Sequence, residues 1–158
     1  MVNGLDFYPT ILSWTGTKRP ETQNLDGCDL SELLMKNPGN ATLVVDKNGK
    51  PRNSMIWHFP HGVAQQSTLR IDGWKLIYNY MPQKPRLELY QLYENYPDPS
   101  KRTDIEEAKN LGGQMPKKAE QMRKELLLQA GWHESFLSLF KLPFQACLAQ
   151  QGKDLQAN

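Results

Sequence analysis

No apolar run in the sequence approaches the roughly 20 residues that a membrane-spanning helix requires. The amino-terminal stretch MVNGLDFYPTIL has neither the basic region nor the apolar core of a secretory signal. Charge of one sign is also scarce. The net charge is +2, and no run of Lys or Arg lies beside stacking aromatics, which argues against a nucleic-acid partner. Two cysteines, Cys28 and Cys147, are too widely separated for a metal knuckle and too few for a disulfide framework, so they read as separate thiols. None of these absences assigns a compartment. Apolar residues are sparse too, at 39% with a mean hydropathy of −0.66, which predicts a small core.

What is present is turn chemistry and alternation. Eleven Pro and eleven Gly predict a loop-rich build. Thr68 to Tyr80 reads as two strands joined by Asp72-Gly73, a dipeptide suited to the positive φ of a tight hairpin. Ser54 to Phe59 upstream and Leu87 to Tyr93 downstream supply two more strands. Met115 to Gly131 opens on Pro116, ends on Gly131 and repeats Ala119, Met122, Leu126 and Ala130 at helical spacing, with Glu120 and Lys124 as an outer pair. These elements predict an α+β fold: a four-stranded antiparallel sheet covered by a long carboxy-terminal helix. In that sheet Leu76 faces the core and Lys75 the other side.

Asp6 to Gly16 reads as a short helix capped by Asp6, apolar on more than one stripe through Phe7, Tyr8, Ile11, Leu12 and Trp14. Such a helix is expected to be buried on most of its surface. A second short helix is expected near Leu30 to Met35, capped near Asp29 or Ser31 and stopped by Asn37-Pro38-Gly39-Asn40. Thr42 to Asp46 reads as a short strand, and Lys47-Asn48-Gly49-Lys50 as a turn. Glu94 to Leu111 is a polar connection ordered by local turns, whose Glu106 and Glu107 read as a solvated face. Trp132 to Phe144 is a further apolar segment, and the tail from Gln145 is polar.

The strand at Ser54 to Phe59 runs into Trp57-His58-Phe59-Pro60-His61. Two histidines three apart on an extended chain point to opposite faces unless Pro60 turns it. Two readings stay open: one packed imidazole beside one exposed imidazole, or a ligand-contacting loop with His58 and His61 as substrate-binding residues. No Cys or acidic cluster nearby completes a metal site.

Four stretches in this order and spacing carry a family resemblance. They are Leu5-Asp-Phe-Tyr-Pro-Thr-Ile-Leu12 with Gly16; Leu25-Asp-Gly27 with Leu30-Ser-Glu-Leu-Leu34; Trp57-His-Phe-Pro-His61; and Asp72-Gly-Trp-Lys-Leu-Ile77 followed by Leu87-Glu-Leu-Tyr-Gln-Leu92 and Asn110-Leu111. Together they resemble the carboxy-terminal part of the type I, formylglycine-dependent sulfatases, over roughly Leu5 to Gly131. The resemblance implies a large alkaline-phosphatase-like α/β domain followed by a small domain with four antiparallel strands and a long helix. On that basis residues 1–24 are the end of the preceding catalytic domain plus linker, 25–144 the carboxy-terminal subdomain, and 145–158 a polar tail. The loop at His61 would lie near the substrate cleft.

The resemblance also defines what this stretch does not carry. Sulfatases hydrolyse sulfate esters with a formylglycine made from Cys or Ser in a C/S-x-P-x-R motif, beside calcium or a similar divalent ion. Cys28-Asp-Leu-Ser-Glu32 and Cys147-Leu-Ala-Gln-Gln151 have neither the Pro nor the Arg. No catalytic or metal residue and no cofactor is therefore assigned to this chain; formylglycine and the metal are expected only in an amino-terminal sulfatase domain. The chain is expected to be inactive alone and to meet a sulfate ester only within the complete enzyme. Its expected partners are that domain or a second copy, with no membrane. The other open reading is a freestanding, non-catalytic binding or assembly module.

Overall fold

The computed structural model describes residues 1–20, 22–35, 43–46, 48–62, 65–81 and 83–132. Helices α1 (Phe7–Thr15), α2 (Ser31–Met35) and α3 (Pro116–Ala130) accompany strands β1 (Ser54–Phe59), β2 (Gln66–Ile71), β3 (Trp74–Asn79) and β4 (Leu87–Gln91). The strands form one open antiparallel sheet in the order β1-β2-β3-β4, as alternation and the Asp72-Gly73 turn predict. No helix among the described residues is long and apolar enough to cross a membrane. The Asn37–Asn40 stop, the Phe136, Leu139 and Phe140 segment, Cys147 and the polar tail lie outside the described residues.

The chain divides into two compact units, one of Met1–Met55, Arg70–Trp74 and Gln91–Glu106, the other of Ile56–Leu69, Lys75–Tyr90 and Glu107–Asn158. The first is organised by an ion pair. Asp6, read from the sequence as a helix cap, makes no capping bond to α1. Its carboxylate is fully buried and accepts from both Arg52 Nη atoms at 2.8 and 2.9 Å, from the Cys28 amide at 2.8 Å and from the Asn3 amide at 2.8 Å. One turn on, Thr10 Oγ1 donates to the Asp6 carbonyl and accepts from the Leu30 amide. The polar side of α1 is thus its buried side. Phe7, Ile11 and Trp14 are exposed, at 64%, 54% and 58%, opposite to the burial their apolarity predicts. The physical reason is the demand of the buried Asp6 and Thr10, which outranks a stripe of separable apolar contacts.

Cys28, Leu30 and Val44, with Leu33 against them, form a small apolar cluster in this unit. Asp29 Oδ1 accepts from the Ser31 amide at the start of α2. The expected strand at Thr42 to Asp46 reduces, in its described residues, to a single bridge between Val45 and Pro51. Gly27 and Gly73 are required for close approach: a Cβ would lie 2.0 Å from the Leu5 carbonyl oxygen at Gly27 and 2.5 Å from that of Tyr93 at Gly73. At the hairpin, Asp72 takes the left-handed conformation, with φ 47, rather than the glycine. The Gly73 carbonyl accepts from the Leu92 and Tyr93 amides. Beyond it the connection is ordered locally, by a bridge between Tyr93 and Arg102 and a 3-10 turn over Pro99–Lys101 under the Asp98 cap. The Arg70 guanidinium lies 5.6 Å from the Tyr93 ring and 5.7 Å from the Tyr96 ring.

The second unit is organised by an apolar row. Leu69, Leu76 and Leu89 are fully buried, as is Leu126 on α3. The bond from the Tyr80 amide to the Gln65 carbonyl sets Leu69 opposite Leu76, and that from Asn79 to Arg86 sets Leu76 opposite Leu89. Helix α3 begins on the β4 side, where the Leu111 amide donates to the Leu89 carbonyl and the Met115 amide to the Leu111 carbonyl. It ends on the β1 side, where the Trp132 ring lies 4.4 Å from that of His58. Fifteen residues at ~1.5 Å each give about 22 Å, more than the roughly 14 Å spanned by four strands, so the helix crosses the whole sheet. Its buried residues are Ala119, Met122, Leu126 and Leu127; Leu127 takes the place expected for Ala130. Glu120 pairs with Arg123, at 2.7 Å, one residue earlier than the expected Lys124.

Strand β3 is buried on both faces. Ile77 and Asn79, on the face opposite Leu76, are also buried. Asn79 Nδ2 donates to the Pro85 carbonyl and to Glu88. Lys75 shares that face and donates to Glu107 at 2.5 Å, so Glu107 is an ion-pair partner rather than part of a solvated face.

Candidate functional site

Both sequence-singled histidines lie at the exposed end of the edge strand β1. Trp57, His58 and Phe59 are exposed there, as is His61 in the following turn. An edge strand needs no apolar cover on its outer margin, which leaves this aromatic run accessible. Pro60 turns the chain, but the two imidazoles take different aromatic partners. His61 lies over Phe59, with ring centroids 4.2 Å apart and planes at 36°. His58 sits edge-on to Trp132 at 4.4 Å and to Tyr80 at 6.2 Å.

His58 is further held by a hydrogen-bonded chain that the sequence did not reveal. In the antiparallel register, His58 falls opposite Ser67 on β2, and its Nδ1 lies 2.6 Å from Ser67 Oγ. Ser67 Oγ lies 2.6 Å from Tyr80 Oη, while Tyr80 Oη to His58 Nδ1 is 3.5 Å, so the serine hydroxyl bridges the other two. Ser67 is fully buried and Tyr80 nearly so. The available signal was a lone small polar residue at an inward position of a strand whose neighbours on that face are Leu69 and Ile71.

Electrostatics disfavour charge on this hydrogen-bonded chain. Partial desolvation lowers the His58 pKa, and the nearby charge of His61 lowers it further. Burial raises the Tyr80 phenol pKa, as does Tyr78, against a smaller opposing effect of the Ser67 hydrogen bond. The group is therefore suited to binding and orientation. Ser67 is inaccessible to a ligand and cannot act as a nucleophile where it stands. The other chemically notable side chain, Cys28, is buried in the first unit, and burial is the main cause that raises its thiol pKa, so it is no poised thiolate either. Among the described residues no three His, Cys, Asp or Glu side chains cluster in a way that could hold a metal ion.

No protein-family model matches the chain, and no curated protein matches it. Among solved structures, it is similar to that of BT4656 in complex with its substrate D-glucosamine-2-N,6-O-disulfate, with 22% identity and a TM-score of 0.45 over 78% of this chain. The chain spans 23% of the length of that protein.

Proposed function

We propose that this chain is the carboxy-terminal subdomain of a formylglycine-dependent sulfatase, contributing the His58–His61 loop to recognition of a sulfate ester. The observation that carries this reading is the exposed run Trp57, His58, Phe59 and His61 at the sheet edge, with one imidazole anchored from behind and the other open. The ordered sulfatase-like motifs support it, and so does the position of Asp72-Gly-Trp-Lys-Leu-Ile77 and Leu87–Gln91 on adjacent strands. On this reading formylglycine and a calcium-like ion belong to an amino-terminal sulfatase domain, and the chain alone is inactive. The test is a chromogenic sulfate-ester assay of the chain alone and with that domain supplied. Turnover is expected only in the complemented mixture, with His61→Ala raising KM there. EDTA-sensitive turnover by the chain alone, or complemented turnover indifferent to His61, would overturn it.

A second reading, a non-catalytic assembly module, draws on the exposed Phe7, Ile11 and Trp14 of α1. Burying such side chains gives about 1.5–3 kcal/mol each, enough to favour a second copy at micromolar concentration. Sedimentation equilibrium of the chain and of Phe7→Ser/Trp14→Ser discriminates. A dimer dispersed by the substitutions favours this module, and a monomer in both removes it.

A further inference from the structure

The geometry points to Ser67 and Tyr80 as positioning residues that hold the His58 proton on Nε2, so that the loop meets a ligand with a ring N–H matched to an acceptor oxygen. The ligand class, a sulfate oxygen, rests on the sulfatase reading above. The tautomer does not.

A chain of two hydroxyls and one imidazole can run in two directions. In one, Tyr80 Oη–H donates to Ser67 Oγ and Ser67 O–H donates to His58 Nδ1, which leaves the ring proton on Nε2. In the other, Nδ1–H donates to Ser67 and Ser67 donates to Tyr80. Intrinsic strengths decide between them. A phenol, with a pKa of about 10, is a far stronger donor than an aliphatic hydroxyl, and its oxygen is a weaker acceptor because its lone pair is delocalised into the ring. The imidazole lone pair is the strongest acceptor of the three. The first direction therefore pairs the best donor with serine and the best acceptor with serine's proton, across the two 2.6 Å contacts. A half-turn of the ring would put Cδ2 in place of Nδ1 beside Ser67 Oγ, so the 2.6 Å hydrogen bond itself fixes which edge of the ring faces inward. Among the described residues, Ser67 from β2, Tyr80 after β3, Trp132 after α3 and His61 in its own loop face it, and of these four His61 is the one that can carry positive charge.

The test is long-range proton–nitrogen NMR of the full chain labelled at histidine, followed through a pH titration. We expect His58 to show a single pattern with Nδ1 unprotonated and Nε2 protonated. Ser67→Ala should release a mixture of tautomers and raise the proton affinity of His58, about fivefold for the loss of one ordinary hydrogen bond to the uncharged ring. Ser67→Thr should restore the wild-type pattern. Tyr80→Phe, which removes one oxygen and keeps the ring, should shift Nδ1 in the same sense as Ser67→Ala and serves if the serine variant fails to fold. A protonated Nδ1 in the wild type, or a proton affinity that falls in Ser67→Ala and Tyr80→Phe, would overturn the proposal. In a second arm, 4-nitrophenyl sulfate added to the complemented protein should move the His58 Nε2–H signal. A fixed tautomer without that response would count against the sulfate-ester reading while leaving the positioning role established.

Discussion

Two buried polar clusters divide the labour of this chain differently. In the first unit Asp6, Arg52 and the Cys28 amide form a charged hub whose acceptor sites are filled from within. In the second, Tyr80, Ser67 and His58 form an uncharged relay that starts in the interior and ends on an exposed ring. The hub sits where apolar packing is thin, beside a cluster of Cys28, Leu30 and Val44. The relay sits in a unit already held by Leu69, Leu76, Leu89 and Leu126. A polar network surrounded by sufficient apolar packing is free to face outward; one that carries the packing itself is not.

The contrast breaks most directly at the hub. Arg52→Ala leaves the Asp6 carboxylate buried and unpaired, and should cost about 3–5 kcal/mol, read as a fall in urea midpoint. Acid separates the two clusters by pH. Burial pushes the Asp6 carboxyl up, but the hydrogen bonds from Arg52, Cys28 and Asn3 and the charge of Arg52 outweigh it, so its folded pKa lies below the ordinary value. A depressed pKa contributes stability that is complete above the unfolded value, near 3.9, and is lost as pH falls from there through the folded value. The His58 pKa is also depressed, so its contribution declines in a higher window, from about 6.5 downward. Stability measured from pH 8 to 2 should therefore fall in two phases. If Ser67 donates to His58 Nδ1 as proposed above, Ser67→Ala raises the proton affinity of His58 and should narrow the upper phase. A single phase at low pH would mean that the relay is not coupled to folding.

Leu76→Ala should cost about 2–5 kcal/mol through a cavity in the leucine row. A loss as small as that of a surface substitution would show that the second unit is not held by apolar packing. Gly73→Ala pushes a methyl against the Tyr93 backbone and should cost about 1–3 kcal/mol. Lys75→Ala breaks a partly exposed pair with Glu107 and should cost about 1 kcal/mol or less. If Lys75→Ala matched Leu76→Ala, the assigned strand faces would be reversed.

The sheet and α3 were legible because their causes are local: alternation, an Asp-Gly turn, proline and glycine at the helix ends. The hub was not. Asp6 and Arg52 are 46 positions apart, and at Asp6 the local pattern proposes a cap. Apolarity misled at α1 for the same reason, since its burial is decided by bonds to Cys28 and Leu30 rather than by its own stripe. The histidine loop was legible as residue types and spacing. Its anchor was not, because a serine in a strand announces neither its partner across the ladder nor a tyrosine reached diagonally.

The direct alignment of Leu69, Leu76 and Leu89 across three strands carries a consequence for solvent access to the backbone. The β3 amides lie between two strands, with leucines buried on one face and Ile77 and Asn79 on the other. Water and catalyst reach them only when the leucine row separates, so their deuterium uptake should track global opening. On β1, with one strand neighbour, the amides of Trp57 to Phe59 can exchange by fraying of the strand end alone. The backbone that presents the histidines should therefore take up deuterium while the β3 amides remain protected, which allows a ligand to be felt there as a local slowing of exchange.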